Sequence, residues 1–239
     1  MPALLLHGVP DTEHLWDPVR SHLRRSDIIT PSMPGFSTPV PDGFDCTKDA
    51  YAAWLIARVE EAGEPVDIVG HDWGSMLVQR LVSVRPDLVR TWAVGSGALD
   101  TEYQWHPTAK TWQTPVVGEQ LMSALTPEAI VGAWKSQGIT DDVARSVASF
   151  VDERMKTAIL ALYRSATRVA EDWAPLTAPA PPGLVIWGAA DPYVETNFAH
   201  RLAERTGAKS IAFEGCGHWW PYQRPAEAAA LLEELWSSV

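Results

Sequence analysis

The chain has 239 residues, 46% hydrophobic and 21% charged, which suits one soluble α/β unit with room for a modest insertion. Its net charge of −11 comes with no Lys/Arg stripe, so nucleic acid is not expected as a partner and the acidity reads as solubility. Two cysteines, Cys46 and Cys216, supply neither a disulfide framework nor metal-ligand spacing, and the apolar start at residues 1–6 is too short for a leader or span, so no membrane partner and a cytoplasmic location are expected.

Short apolar runs predict strands at residues 3–6, 27–30, 66–69, 91–95, 184–187 and 210–213. Helical spacing falls between them. Residues 50–61 carry Ala53, Trp54 and Ala57 on one face, 74–84 stop before Pro86, and 197–206 and 226–235 close the chain. Strands alternating with helices imply a mainly parallel sheet with helices on both faces. The pattern changes at residues 98–177, where three or four helices and no strand are expected. Thr126 before Pro127 reads as an N-cap, Thr140 as a second cap, and residues 154–168 as a further helix. A proline-rich linker at 174–183 leads back to the sheet. The expected organisation is therefore a core of residues 1–97 and 178–239, with 98–177 as a helical lid over the strand C-termini.

Asp72 stands at the centre of Gly70-His71-Asp72-Trp73-Gly74, between an apolar run and a helical pattern. The spacing is that of the nucleophile elbow G-x-S-x-G, with a carboxylate in place of serine. A carboxylate attacks acyl groups poorly but can displace a leaving group from saturated carbon, forming an alkyl ester that water must hydrolyse. The second step needs a base, and His218 follows the last strand in Gly215-Cys216-Gly217-His218-Trp219. The base needs an orienting acid, and Asp191 follows the preceding strand in Trp187-Gly188-Ala189-Ala190-Asp191. The loop at residues 95–98 holds no competing carboxylate. Backbone N–H groups of Val9, in His7-Gly8-Val9-Pro10, and of Trp73 are placed to form an oxyanion hole. His7 and His71 read as structural.

HGVP, MPGFS at residues 33–37, GHDWG, WGAAD and GCGHW run in this order over nearly the whole chain. Together they resemble the α/β-hydrolase superfamily, in its branch of epoxide hydrolases and haloalkane dehalogenases with an aspartate nucleophile. The resemblance implies that fold, the triad Asp72, His218 and Asp191, and a cis peptide before Pro10. Relatives carry a β-hairpin before the HGxP strand. Here the N-terminal hairpin is absent, so the sheet should be shortened at one edge, which would offer a pairing surface for a homodimer.

The lid is where the resemblance divides. Epoxide hydrolases use two lid tyrosines to protonate the epoxide oxygen. Leu162-Tyr163-Arg164-Ser165 is similar to one such stretch, making Tyr163 the lid proton donor. Counting back from Trp112-Gln113-Thr114-Pro115 lands on Thr108 where the second tyrosine is expected, leaving Tyr103 and His106 as substitutes. Dehalogenases instead need two N–H donors for the halide. Trp73 supplies one, Val9 replaces the asparagine that often supplies the other, and Trp105, Trp112, Trp134 and Trp173 are candidates for it. Trp73 argues against a fluoroacetate dehalogenase, which carries arginine there. Epoxide hydrolysis is thus the leading reading. Halide displacement, ester or lactone hydrolysis, and a non-catalytic binding role are the alternatives. The expected substrate is a small, mainly apolar organic molecule, with water as co-substrate and no cofactor or metal.

Overall fold

The computed structural model of the chain describes residues 1–239. Six strands, β1 (Ala3–Leu6), β2 (Ile28–Ile29), β3 (Val66–His71), β4 (Val89–Gly95), β5 (Gly183–Gly188) and β6 (Lys209–Phe213), form one sheet in the order β2-β1-β3-β4-β5-β6. Every neighbouring pair is parallel. All six lie where apolar runs predict them; β1 matches at both ends and the other five differ at one end or both. The first edge strand, β2, shrinks to two residues, and β4 starts two residues early because Val89 pairs with Val66.

Side chains alternate between the two faces, as the pleat requires. Leu4, Leu6, Ile68, Trp92, Val94, Val185 and Trp187 enter one buried cluster, while Ala3, Leu5, Val69, Ala93, Leu184 and Ile186 enter the other. Each fully buried Leu or Ile contributes roughly 2 kcal/mol through the water it leaves. Helices cover both faces: α1 (Asp17–Arg20), α2 (Lys48–Glu60) and α3 (Trp73–Val84) precede β4 in the chain. The helix α2 begins earlier than expected because the Thr47 hydroxyl accepts from Ala50 N (3.3 Å) and caps it.

Between β4 and β5 the chain forms six helices rather than three or four: α4 (Pro107–Gln113), α5 (Val117–Ala124), α6 (Pro127–Lys135), α7 (Asp141–Phe150), α8 (Glu153–Ser165) and α9 (Val169–Trp173). The count rises because caps restart the helix. His106 accepts from Ala109 N (3.3 Å), Thr126 from Ala129 N (3.2 Å) and Asp152 from Met155 N (2.9 Å). Thr140 occupies the cap position of α7 without a side-chain cap bond. The helix expected over 154–168 ends at Ser165, since Ala166 and Arg168 leave helical geometry before α9.

The insertion packs as two parts. Side chains of α8, including Ile159 and Tyr163, join one sheet-face cluster, whereas Ile130, Trp134 and Val147 of α6 and α7 join the cluster of Trp219 and Trp220. The chain then completes α10 (Thr196–Thr206), α11 (Trp220–Gln223) and α12 (Pro225–Ser237). At the far end of the strands, fully buried Asp67 is braced by Arg25 (2.7 Å), Arg90 and the Thr91 hydroxyl (2.6 Å). Its full pairing is what makes that buried charge tolerable.

Candidate active site

Parallel strands leave a crevice outside their C-terminal ends, and the carboxylate–imidazole residues all gather there. Asp72 occupies the single step between β3 and α3 with φ 53° and ψ −120°. This backbone region costs a non-glycine residue about 1–3 kcal/mol and persists only where neighbours hold it. Asp72 N donates to Gly95 O (3.0 Å), and Met76 N returns to Asp72 O (3.3 Å). A Cβ on Gly70 would strike the Gly74 backbone, and one on Gly74 would strike the carbonyls of Leu6 and His7. The tightness of the turn therefore dictates both glycines.

The Val9 N–H donates to Asp72 Oδ1 (2.6 Å), from a loop that turns at a cis Val9–Pro10 peptide. Trp73 N opens α3, where no intrahelical acceptor is available to it. Asp72 Oδ2 lies 3.6 Å from His218 Nε2, and His218 Nδ1 lies 2.9 Å from Asp191 Oδ2. Asp191 Oδ1 accepts from Tyr193 N (2.9 Å) and Val194 N (3.1 Å), which locks the carboxylate. Burial opposes its ionisation, but the His218 charge and these hydrogen bonds hold it below the ordinary range. Burial likewise opposes charge on His218, yet Asp191 and Asp72 together push it up to about 10.

His7 and His71 are buried and structural. Burial lowers each to about 4. His7 Nε2 accepts from Met33 N (3.1 Å), while His71 Nε2 and the Ser96 hydroxyl both donate to the His218 carbonyl (2.9 and 3.1 Å). The residue before Asp72 thus braces the backbone of His218. Asp100, just beyond the carboxylate-free loop after β4, is ion-paired with Arg201 (3.0 Å) and Arg205, away from the imidazole.

A cavity of about 210 Å³ lies over Asp72 and His218, with 18 of its 26 lining residues hydrophobic, so polar groups in it are few and specific. Tyr163, Tyr103, His106, Thr108, Trp105, Trp112 and Trp134 all line it. Tyr163 is 2% exposed, and burial followed by the nearby Asp72 charge raises its phenol well above the ordinary value. Its ring meets Trp73, Trp105 and Trp112 at 5.5, 5.2 and 4.8 Å between centroids. The Trp73 indole N–H is buried and has no hydrogen-bond partner. His106 accepts at Nδ1 from Ala109 N, and burial lowers it to about 4, so the neutral ring carries its proton on Nε2. The Tyr103 hydroxyl reaches only a long contact with Tyr193 O (3.5 Å).

Two of the four candidate indole donors are committed elsewhere. Trp105 donates to Ala166 O (3.2 Å) and offers the cavity its ring face, stacked on Trp73 at 5.8 Å. Trp173 lies outside the cavity and donates to Asp49 Oδ1 (2.7 Å). Conversely, the cavity residues that escaped the sequence reading include Tyr193, Gln137 and Trp219. The Tyr193 ring packs edge-on to His218 (5.0 Å), and its hydroxyl accepts from Gln137 Nε2 (2.6 Å). Its place two residues after Asp191 was the available signal. Nothing in the sequence marks Gln137.

Residues 3–231 match the model of the alpha/beta hydrolase family. Lipase LipV of Mycobacterium tuberculosis is 32% identical over 88 residues, 36% of this chain and 33% of that protein. A haloalkane dehalogenase of Psychrobacter cryohalolentis is 26% identical over 166 residues, 65% of this chain and 52% of that protein. The chain thus spans about a third to a half of the length of the curated relatives it matches. Among solved structures, a Bacillus megaterium epoxide hydrolase superposes with a TM-score of 0.81 at 17% identity, covering 98% of this chain and 93% of that one. A haloalkane dehalogenase from Bradyrhizobium elkani gives 0.79 at 21%, covering 100% and 91%. Those identities speak for the fold alone. With the matched family model, the parallel sheet and the elbow at Asp72, the chain belongs to the α/β-hydrolase family.

Proposed function

We propose that this protein is an epoxide hydrolase that opens an epoxide through an alkyl ester on Asp72 and releases a vicinal diol. The observation that carries the reading is the placement of Tyr163. It lines the cavity with Asp72, and its ring packs edge-on against the Trp73 indole. A halide displaced by Asp72 would need the N–H of that indole, but the Trp73 nitrogen is buried under Tyr163 and Trp105. An oxygen leaving group needs a proton donor instead, and Tyr163 provides one. His106 Nε2–H is the second donor, in place of the tyrosine that Thr108 replaces.

In the first step Asp72 Oδ2 attacks an epoxide carbon, the carbon–oxygen bond breaks, and the alkoxide takes the Tyr163 proton. Asp72 Oδ1 stays on the Val9 N–H throughout. In the second step His218 Nε2 takes a proton from water, whose oxygen adds to Asp72 Cγ. The charge that develops on Oδ1 meets the N–H groups of Val9 and Trp73. Cleavage of the bond from Cγ to the alkyl oxygen releases the diol. Of the two water protons, one goes to the departing alkoxide and the other returns to Tyr163. Asp191 holds the imidazole so that Nε2 faces Asp72.

Replacing His218 with Gln removes the base and leaves the attack intact. Incubated with styrene oxide or 1,2-epoxyhexane, H218Q should gain the mass of one whole epoxide, localised by peptide mapping to Asp72. An unmodified chain with every epoxide offered, or a gain equal to an alkyl halide minus its halogen from haloalkanes alone, would overturn the proposal.

A further inference from the structure

The side-chain amide of Gln223 ties the α6–α7 hairpin by hydrogen bonds to the loop that carries His218. Gln223, the last residue of α11, accepts at Oε1 from Gly217 N (2.8 Å) and from the Cys216 thiol (3.1 Å). At Nε2 it donates to the carbonyl of Gln137 (2.9 Å), in the turn between α6 and α7. Both main partners are backbone groups of fixed polarity, so the amide has one allowed orientation. Reversed, it would set N–H against N–H and oxygen against oxygen.

The same turn reaches the second loop. Gln137 Nε2 donates to the Tyr193 hydroxyl (2.6 Å), and Tyr193 N is held by Asp191 Oδ1 (2.9 Å). Trp134 of α6 stacks on Trp219 at 4.1 Å, one residue beyond His218. The hairpin packs chiefly on itself and on this tryptophan cluster rather than on α4, α5 or α8, with the cavity between the two parts of the insertion. Motion of the hairpin would therefore be felt first at Gln137, Gln223 and Gly217.

We infer that Gln223 is a positioning residue that couples closure of the α6–α7 hairpin to alignment of His218. The inference rests on the reading of His218 as the base of the ester-hydrolysis step. With the hairpin closed, both ends of the amide are engaged, Gly217 N is fixed, and the adjacent His218 is held toward Asp72. With the hairpin open, the Nε2 end is released and the Gly217 anchor loosens. Water is then activated only while the cavity is covered, and product leaves while the base is out of line. An ångström of misplacement can cost as much as about 100-fold in such a step.

Two substitutions separate the two ends. Gln223→Glu keeps an acceptor for Gly217 N and loses the donor to Gln137, whereas Gln223→Ala loses both. The probe is styrene oxide in rapid-quench single turnovers, together with amide hydrogen exchange of the substrate-free protein. Q223A should form the ester within about twofold of the wild-type rate and hydrolyse it about tenfold or more slowly, so that ester accumulates. Q223E should hydrolyse the ester within about threefold of wild type. Both variants should exchange faster in α6 and α7. Ester hydrolysis by Q223A at the wild-type rate, or equal slowing of both steps, overturns the inference. If the wild type forms no ester, the functional reading has failed and exchange decides alone. Unchanged protection of α6 and α7 in Q223E then overturns the coupling, even if Q223A does not fold.

Discussion

Tyr163→Phe isolates the one oxygen on which the epoxide reading depends. The phenyl ring keeps its packing against Trp73, Trp105 and Trp112, so no cavity opens and only the hydroxyl is lost. Because that hydroxyl donates to no protein group, folding should lose no more than about 1 kcal/mol. Catalysis should lose much more. Removing one donor from a developing oxyanion typically costs about 3 kcal/mol, or roughly 100-fold in rate. The loss should fall on ester formation, when the alkoxide appears, and spare ester hydrolysis, which His218 drives. Trp73 is the residue next to Asp72, so stopped-flow tryptophan fluorescence can follow the first step and rapid-quench mass spectrometry the second. Ester formation by Y163F at the wild-type rate, or an equal loss in both steps, would refute the assignment. A haloalkane tested alongside should not depend on this hydroxyl at all.

Two further outcomes follow from buried charge. Asp11 is 1% exposed, accepts from Tyr222 (3.1 Å) and Thr12 N (2.9 Å) on Oδ1, and leaves Oδ2 without a partner. Burial pushes its carboxyl from an ordinary 3.8 up to about 7. The folded state then binds the proton more tightly, so stability falls from about pH 4 to about pH 7 and levels above. Asp11→Asn removes that slope and should stabilise the protein at pH 8 by up to about 4 kcal/mol. Urea denaturation at pH 5 and pH 8 measures it, and parallel pH profiles for the two proteins would refute it. For His218, raised to about 10, the stabilisation is present below its unfolded value and lost as pH rises through about 10. Asp72→Asn removes one of the two carboxylates that raise it, as esterification would, so an NMR titration should find the imidazole losing its proton at lower pH; an unchanged midpoint would refute the electrostatic account.

The sheet was legible because each of its four inner strands, β1, β3, β4 and β5, is an apolar run buried on both faces, a pattern that survives without knowledge of its partners. The elbow was legible for a different reason: Gly70 and Gly74 are dictated by backbone collisions, and Asp72 is fixed between them. Ends of elements were less so. The position of α2 depends on a hydroxyl at Thr47, and the split of the insertion into six helices depends on His106, Thr126 and Asp152 acting as caps. Such one-residue decisions leave little trace in a hydrophobic pattern. The cavity wall was half legible. Tyr163 could be placed by similarity, whereas the N–H of Trp105 could not be known to be used by Ala166 O until the chain was folded. Gln137 and Gln223 lie 86 residues apart and meet only in three dimensions.

The core of the site does not by itself choose a reaction. A carboxylate on an elbow, with an imidazole 3.6 Å away and an acid behind it, can attack any saturated carbon bearing a leaving group. What differs between leaving groups is the charge that appears opposite Asp72: a halide needs N–H groups and no proton, an alkoxide needs a proton. On the proposed function that choice falls to the inserted helices, which contribute Tyr163 from α8 and His106 at the start of α4. In the proposed reaction Tyr163 offers the proton, while its ring packs on the Trp73 indole whose N–H a halide would use, so one side chain would favour one chemistry and obstruct the other. Tyr163→Phe should therefore separate the two activities, with epoxide opening falling and any halide displacement unchanged.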